Sequence, residues 1–587
     1  MAQTIMEAMA DSSTKFATLP ALRHKSNERW QTRTWADYGT QTRLVARGFM
    51  ALGLGPQEGV VILGDNCPEW FIANLAAIHA GAIPAGIYAT NSPQQCHYIA
   101  DSCAATIAVV ADGVQLSKLT AIAERLPKLK AIVMMEGSDS AGHVYAWEDL
   151  PALAEQVSEQ ALDERIEAQS TDDVCTLIYT SGTTGQPKGV MLSHRNLGWM
   201  AQTSVEVYGC NSDERIISYL PLSHIAEQIF SLYVPMHCGG CTAFAENLDA
   251  LGDNLRDIRP TSFIAVPRVW EKIQAKMLSA GKNNPALRKK FVAWARNQGL
   301  AGGYARQQGQ TPPLLYKLAD KLVFAKVRQQ LGFERCRHLL SSAAPISLDT
   351  LEFFLSLGLP ICEIYGMSEC AGAATAALAE RYHSGKLGRC VPGAEIHIAA
   401  DGEILLRGPH IFAGYLDNEA ATRKTLDYDG WLHSGDIGTI DDEGFLQITG
   451  RKKDIIITAG GENIAPQLLE GKLKAIAAVS QAVVIGDQRK YLCALITLDG
   501  ETLADELKAA GSGANGLAEA ACCEHLQAHI QRQVDAINHE LAQVQTIKKF
   551  TILAEDFSIE GEELTPTMKI KRNIVSLKYQ RQITAMY

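Results

Sequence analysis

Short apolar runs alternate with longer amphipathic stretches over most of the chain. GVVILGD (59–65), TIAVVAD (106–112), AIVMME (131–136) and TSFIAVP (261–267) have the length and β-branched content of buried strands. Residues 39–52 and 68–80 between them carry helical spacing. Strands alternating with helices predict an α/β architecture. Residues 281–330 are rich in Lys, Arg, Gln and Ala and predict helices whose charges form a solvated face. After residue 390 the texture shifts to short β segments broken by Gly and Asp turns, AEIHIAADGEILLRG and then GFLQITG. A compact tail follows: DIIIT, a helix opening at Pro466, QAVVIG, YLCALITL, a helical insert over about 502–545 and KKFTILAE. The charged joint GRKKD separates the two patterned blocks and predicts domains over 1–450 and 451–587.

Two uncharged runs test for membrane spans. WFIANLAAIHAGAIPAGIYAT (70–90) contains Asn74, His79 and Pro84, and predicts a buried helix, a turn and a strand. IFSLYVPMHCGGCTAFA (229–245) is broken by Pro235, His237 and a Gly pair. Neither supplies the roughly twenty consecutive apolar residues of a span. The net charge of −11, without a strongly basic block, argues against nucleic acid as a partner. It also supplies no polybasic anchor, so membrane contact would need an apolar patch on the folded surface. Fourteen cysteines in 587 residues are too sparse for a disulfide framework. With no apolar signal core in MAQTIMEAMADSSTK, the expectation is a cytoplasmic protein with reduced thiols. Peripheral membrane contact and a homodimer stay open.

The stretch YTSGTTGQPKG (179–189) carries the strongest chemical signal. Gly182, Gly185 and Gly189 allow close approach of the backbone to a ligand. Thr180, Ser181, Thr183 and Thr184 add hydroxyls, and Lys188 adds a mobile cation. Donors without neighbouring carboxylates suit a phosphate. The spacing is not the GxxxxGK[ST] of nucleotide triphosphatases, so the phosphate chemistry is of another kind.

Four further stretches are weaker singly. ICEIYGMSEC (361–370) runs from a strand into a turn with Tyr365, able to stack on a flat ring, and Glu369, a hard oxygen ligand suited to Mg²⁺ beside phosphates. GWLHSGDIG (430–438) offers Asp436 as an acceptor for two ribose hydroxyls, though an aspartate in a turn is often only turn chemistry. GRKKDIIITAGGENIAP (450–466) offers Arg451, or else a solubilising cluster. ELTPTMKIKRN (563–573) offers Lys569 and Lys571, or a frayed cationic tail. The Cys238–Cys241 pair has no second pair at zinc-finger spacing and reads as structural. His224 and Glu227 in LPLSHIAEQ are not HExxH, so a metal role there is not expected.

In this order the stretches resemble the acyl-adenylate-forming superfamily, which includes acyl-CoA synthetases, firefly luciferase and the adenylation domains of peptide synthetases. YTSGTTGQPKG matches its phosphate loop, SSAAPIS with IYGMSE its adenine-site pair, and GWLHSGDIG, GRKKDIIITAGGENIAP and a near-terminal lysine complete the set. VPRVWEKI, TAGGENIAP and LTPTMKIKR lean toward long-chain fatty acyl-CoA synthetases of the bubblegum type. The resemblance implies a large N-terminal domain of α/β subdomains with a β-rich subdomain, and a small mobile α+β C-terminal domain.

It implies ATP, Mg²⁺ and coenzyme A as cofactor and co-substrates, and a fatty acid as the acyl substrate. Thr180, Ser181, Gly182, Thr183, Thr184, Gly185 and Lys188 would hold the phosphates, with Thr184 also close to the reaction. Tyr365 would pack on adenine opposite Ala343, Ala344 and Pro345, with Gly366, Met367 and Ser368 beside it. Ser368 stands where the family usually has Thr. Glu369, with Thr180, would ligate Mg²⁺; Asp436 and Arg451 would take the ribose. Lys569 aligns with the adenylation lysine, with Met568 in place of the usual Gly and Lys571 as the lesser candidate. Lys453 falls at the hinge, where many relatives have Asp; Gly460 and Gly461 would face the CoA route. His224 would serve at the acyl pocket and Trp270 would shape it. Three alternatives stay open: a fatty acyl-AMP ligase that loads a carrier protein, a ligase for another acid, and a nucleotide binder without catalysis.

Overall fold

A computed structural model describes residues 3–139, 142–180, 186–282, 284–565 and 568–587. Its largest sheet has eight strands, in the spatial order Gly414–Tyr415, Lys188–Ser193, Val174–Thr180, Ile83–Ile87, Gly59–Leu63, Ala105–Val110, Ala131–Met134 and Val144–Ala146. The strands from Val174–Thr180 through to Val144–Ala146 pair in parallel. GVVIL and ATIAVV are buried at every position, because a parallel sheet with both faces covered leaves no strand position facing solvent. The one polar residue among them, Thr106, donates its hydroxyl hydrogen to Glu58 Oε2 at 2.8 Å. Helix Pro68–His79 is buried all round except at Glu69, and lies between this sheet and helix Trp35–Ala51. The apolar 70–90 run is thus a core helix, turn and strand, as its pattern predicts. Among the described residues no helix is long and apolar enough to cross a membrane.

A second sheet orders Arg215–Ser218, Cys241–Phe244, Pro20–Ser26 and Arg29–Thr34. A third is wholly parallel: Ser262–Ala265, His338–Ser341 and Ile361–Glu363. The carboxyl ends of its strands lead to residues 266–270, 342–345 and 364–369, which is where ligands bind on open parallel sheets. The region after 390 is β-rich, with Glu395–Ile398, Glu403–Arg407, Leu432–Ile440 and Leu446–Arg451 forming an antiparallel sheet. From Ile456 onward a separate hydrophobic cluster forms around Val479–Ile485, Leu492–Leu498 and Ile547–Ile552, covered by helices Pro466–Lys474, Leu503–Ala510 and Glu524–His539. The architecture is α/β with an α+β C-terminal part. All fourteen cysteines are free, Cys238 and Cys241 included.

Candidate active site

The phosphate-loop stretch leaves one strand of a hairpin and returns on the other, and Thr180 and Lys188 are cross-strand partners at its mouth. Ser181, Gly182, Thr183, Thr184 and Gly185 lie outside the described residues. The half-buried Lys188 holds its Nζ 4.5 Å from the ring centroid of Tyr415. Tyr415 reaches this position because Gly414–Tyr415 adds an antiparallel strand to the hairpin, opposite Met191 and Val190. Its hydroxyl donates to Glu369 Oε1 at 2.7 Å. Sequence reasoning missed Tyr415: GYLDNE carries no signal that it will lie between a lysine and a glutamate distant in the chain. Glu369 is buried, and its Oε2 accepts from no described residue. A buried hard oxygen, joined through Tyr415 to Lys188, fits Mg²⁺ that arrives with nucleotide phosphates. Among the described residues no three His, Cys, Asp or Glu converge as a resident metal site.

The second half of the site grows from adjacent parallel strands. The Ile364 amide donates to the Ser341 carbonyl at 3.0 Å, so the turns at 342–345 and 365–369 start side by side. Ala343 adopts φ of 74°, a left-handed conformation rare for a residue with a Cβ, and Ala344 and Pro345 are exposed. Gly366 is required by contact: a Cβ there would lie 1.7 Å from the Gly372 carbonyl oxygen. Met367 is extended, and the buried Ser368 opens a single turn of 3₁₀ helix, Ser368–Cys370. The Tyr365 hydroxyl donates to Asp436 Oδ2 at 2.8 Å, and Arg451 Nε donates to Asp436 Oδ1 at 2.8 Å. Asp436 is thereby held from two sides while its carboxylate keeps lone pairs for further donors. Burial and then the Asp436 charge push the Tyr365 phenol well above its ordinary value, so it stays a donor. The Asp436 charge raises Arg451 in turn.

Lys569 enters this space from the C-terminal part. Its amide donates to Thr565 Oγ1 at 3.0 Å and its carbonyl accepts from the Thr565 amide at 2.8 Å, closing a tight loop. Met568, at the position of the family glycine, has φ of 60°. The Lys569 side chain is exposed, with Arg451, Asp436 and Glu369 as its charged neighbours. Its pKa is lowered by desolvation first and Arg451 second, against the opposing pull of Asp436 and Glu369. Lys569 therefore shares an electrostatic neighbourhood with both halves of the site. Lys571 instead starts helix Arg572–Lys578, its amide donating to the Glu563 carbonyl at 2.8 Å. His224 also feels Lys569: burial, and then that cation, lower it to about 4. Its Nδ1 accepts from the Ala226 amide at 3.2 Å, which puts the proton of the neutral ring on Nε2. Glu227, three residues on, is buried and accepts from Ser218 and Ser231 hydroxyls at 2.6 and 2.7 Å.

Other predicted residues are not gathered there. Trp270 is fully buried among Phe263, Phe333 and Phe354, and its indole N–H donates to the Leu340 carbonyl at 3.3 Å. That contact braces the strand leading to 342–345. Lys453 is exposed and makes no ion pair among the described residues. Gly460 and Gly461 form an exposed hairpin tip tied to its own part of the chain, the Ala459 amide donating to the Arg489 carbonyl at 2.9 Å.

Residues 9–416 match the model of the AMP-binding enzyme family, and residues 453–587 match that of the AMP-binding enzyme C-terminal domain. The chain belongs to the AMP-binding enzyme family. Within this family it is similar to long-chain-fatty-acid–CoA ligase ACSBG2 of Xenopus laevis, 42% identical over 618 aligned positions that cover 100% of this chain and 84% of that protein. ACSBG2 of Homo sapiens is 39% identical, with 100% of this chain and 92% of that protein covered. Among solved structures, ATP-bound MatB from Rhodopseudomonas palustris superposes with a TM-score of 0.71 at 20% identity, covering 98% of this chain and 99% of that one. At that identity the likeness concerns the fold alone. It extends through the adenylate-forming N-terminal fold and the C-terminal part.

Proposed function

We propose that the protein ligates a long-chain fatty acid to coenzyme A through an acyl-AMP intermediate. The observation that carries this is the pair of contact chains Lys188–Tyr415–Glu369 and Tyr365–Asp436–Arg451, with Lys569 of the C-terminal part near enough to feel the charges of Glu369, Asp436 and Arg451. The names of the ACSBG relatives support the acyl class.

In the first step a carboxylate oxygen attacks the α-phosphorus of ATP and the bond to pyrophosphate breaks. In the second the CoA thiolate attacks the acyl carbon, and the bond to AMP breaks. Negative charge gathers at the phosphates and the entering oxygen, so fixed cations and donors are the main requirement. Lys188 and the phosphate loop hold the β- and γ-phosphates. Asp436, kept in place by Tyr365 and Arg451, accepts from the ribose hydroxyls. Tyr365 and the 343–345 backbone flank the adenine, and Ser368 donates toward the α-phosphate. Lys569 bridges the substrate carboxylate and that phosphate. Glu369 through Oε2, with Thr180, would hold Mg²⁺, which offsets phosphate charge when bound. His224, neutral with Nε2–H, lines the acyl side.

The chain divides at 450/451, and the C-terminal domain turns about Lys453 between the steps, taking Lys569 out and bringing Gly460 and Gly461 toward CoA. Arg268 Nη2 meets Asp499 Oδ2 at 2.9 Å across the two parts, with Lys272–Glu501 at 3.5 Å and Lys282–Asp505 beside it, and these pairs would hold the adenylation arrangement. The test is incubation with MgATP, CoA and acids from short to very long, with acyl-AMP, acyl-CoA and AMP quantified by mass spectrometry. Acyl-CoA formed chiefly from long acids is the expected result. Acyl-AMP without thioester, or no turnover of any acid, overturns the proposal.

A further inference from the structure

Residues 281–330 hold one acid, Asp320, among many lysines and arginines, in a chain of net charge −11. The structure folds them into helix Ala286–Gln307 and a second run, Leu314–Leu331, that includes a π turn over Asp320–Phe324. The two lie antiparallel. Gly302 meets the Tyr316 ring and Gly299 the Phe324 ring, around a small core of Ala295, Tyr316, Ala319 and Phe324. Toward the interior, Leu300 and Tyr304 pack on the cluster that holds Leu340 and Ile364, next to the adenine-side turns.

The outward face differs from the solvated face that the sequence pattern predicts. Leu287 is 82% exposed and Leu314 87%, and Phe291, Leu315, Leu318 and Leu322 are exposed with them. Leu287, Phe291 and Trp294 follow i, i+4, i+7 spacing on the first helix, and the Phe291 and Trp294 rings stack at 5.5 Å. Trp294 and Val323 abut the same small core, which puts the two apolar stripes on neighbouring helices. Arg288, Lys289, Lys290, Lys317 and Lys321 flank them, all exposed and without an ion pair among the described residues. Single exposed leucines need no explanation, but a group of them bordered by free cations is an interaction surface.

We propose that this helix pair docks on the surface of an anionic lipid bilayer. The leucines and Phe291 would enter the boundary between headgroups and acyl chains, and the lysines and arginine would meet acidic headgroups. Charge complementarity decides the occupant: a two-fold contact between copies would set the same cations against each other, whereas an acidic leaflet matches them. Such a surface would place the chain where long-chain acyl groups are stored, whichever acid it activates.

The test is co-sedimentation of the full chain with phosphatidylcholine vesicles, with and without phosphatidylserine, at low and raised salt. The expected result is binding that needs phosphatidylserine and weakens with salt. Leu287→Ser with Leu314→Ser should lower it about tenfold or more per leucine. Lys289→Gln with Lys317→Gln should lower it about fivefold per charge removed. Both pairs are exposed, and thermal unfolding checks that each variant folds; Leu314→Ser alone serves if the double variant does not. Absence of binding by the unaltered chain, or binding that neither pair changes, overturns the proposal. So does a dimer in sedimentation velocity that Leu314→Ser disperses without lipid, which would assign the face to a second copy.

Discussion

Tyr415 donates its hydroxyl hydrogen to Glu369 Oε1 at 2.7 Å, across 46 residues of chain. The same ring lies under Lys188. One side chain thus sets the spacing between the phosphate-loop cation and the carboxylate suited to Mg²⁺. Its hydroxyl fixes which carboxylate oxygen stays free.

Tyr415→Phe keeps the ring under Lys188 and removes the hydroxyl's bond to Glu369 together with its contact to Thr425. A hydrogen bond to a charged group contributes about 1.5–3 kcal/mol, so kcat/KM for MgATP should fall about tenfold to a hundredfold. The fold should persist, because the backbone pairing with Val190 does not use the hydroxyl. ATP–pyrophosphate exchange at graded Mg²⁺ reads this, and the loss should shrink as Mg²⁺ rises. Tyr415→Leu should lose more, since the cation–ring contact goes too. Equal activity of Tyr415→Phe and the unaltered protein would remove the hydroxyl from the account.

Lys569→Ala should lower acyl-AMP formation about a hundredfold or more, the usual cost of losing one fixed donor to developing charge. Thioester formation from supplied acyl-AMP should survive, because that step is proposed to follow departure of the lysine. Lys571→Ala should leave both steps close to normal. Met568→Gly is a separate stability test. It releases a left-handed conformation costing about 1–2 kcal/mol and adds about 0.5–1 kcal/mol of unfolded-chain freedom, so a gain of about 0–1.5 kcal/mol is expected in denaturant unfolding.

The three ion pairs between helix Pro267–Lys282 and residues 499–505 are not equivalent. Lys272–Glu501 and Lys282–Asp505 are exposed on both sides and should contribute little each. Arg268–Asp499 has a carboxylate side chain only 12% exposed, and it should dominate. Arg268→Glu should slow acyl-AMP formation about threefold to tenfold, and Asp499→Arg on that background should restore part of the loss. Pyrophosphate exchange measured on the four proteins of this cycle decides it. Additive effects would show that the pair does not couple the two parts.

Much of the fold was legible because buried parallel strands are continuous apolar runs: GVVIL and ATIAVV announce themselves, as does the helix opening at Pro466. The motif residues Tyr365, Glu369, Asp436 and Lys569 were legible by resemblance. Their mutual contacts were not: the Tyr365–Asp436 bond spans 71 residues and depends on how a parallel sheet meets an antiparallel one. Trp270 carries the same one-dimensional signal whether it lines a tunnel or, as here, sits among three phenylalanines. Leu287 and Leu314 share the spacing of core residues, and only the packed structure shows that nothing covers them.

His410 gives a prediction for acid stability. It is wholly buried, stacks on Trp199 at 5.1 Å, and neither ring nitrogen has a partner among the described residues. Burial lowers its pKa from 6.5 to about 4. Between those values the unfolded chain takes up a proton that the folded chain refuses, so the contribution of the neutral ring is complete above pH 6.5 and lost as pH falls toward about 4. One such group accounts for about 3 kcal/mol at most over that interval. His410→Phe keeps the stacking and removes the titration. Its stability should therefore fall less steeply than that of the unaltered protein between these pH values. Denaturant unfolding of the pair across the interval tests this, and because every other titrating group is shared, their difference isolates His410. Parallel curves would mean that the ring takes up its proton in the folded protein as readily as in the unfolded chain.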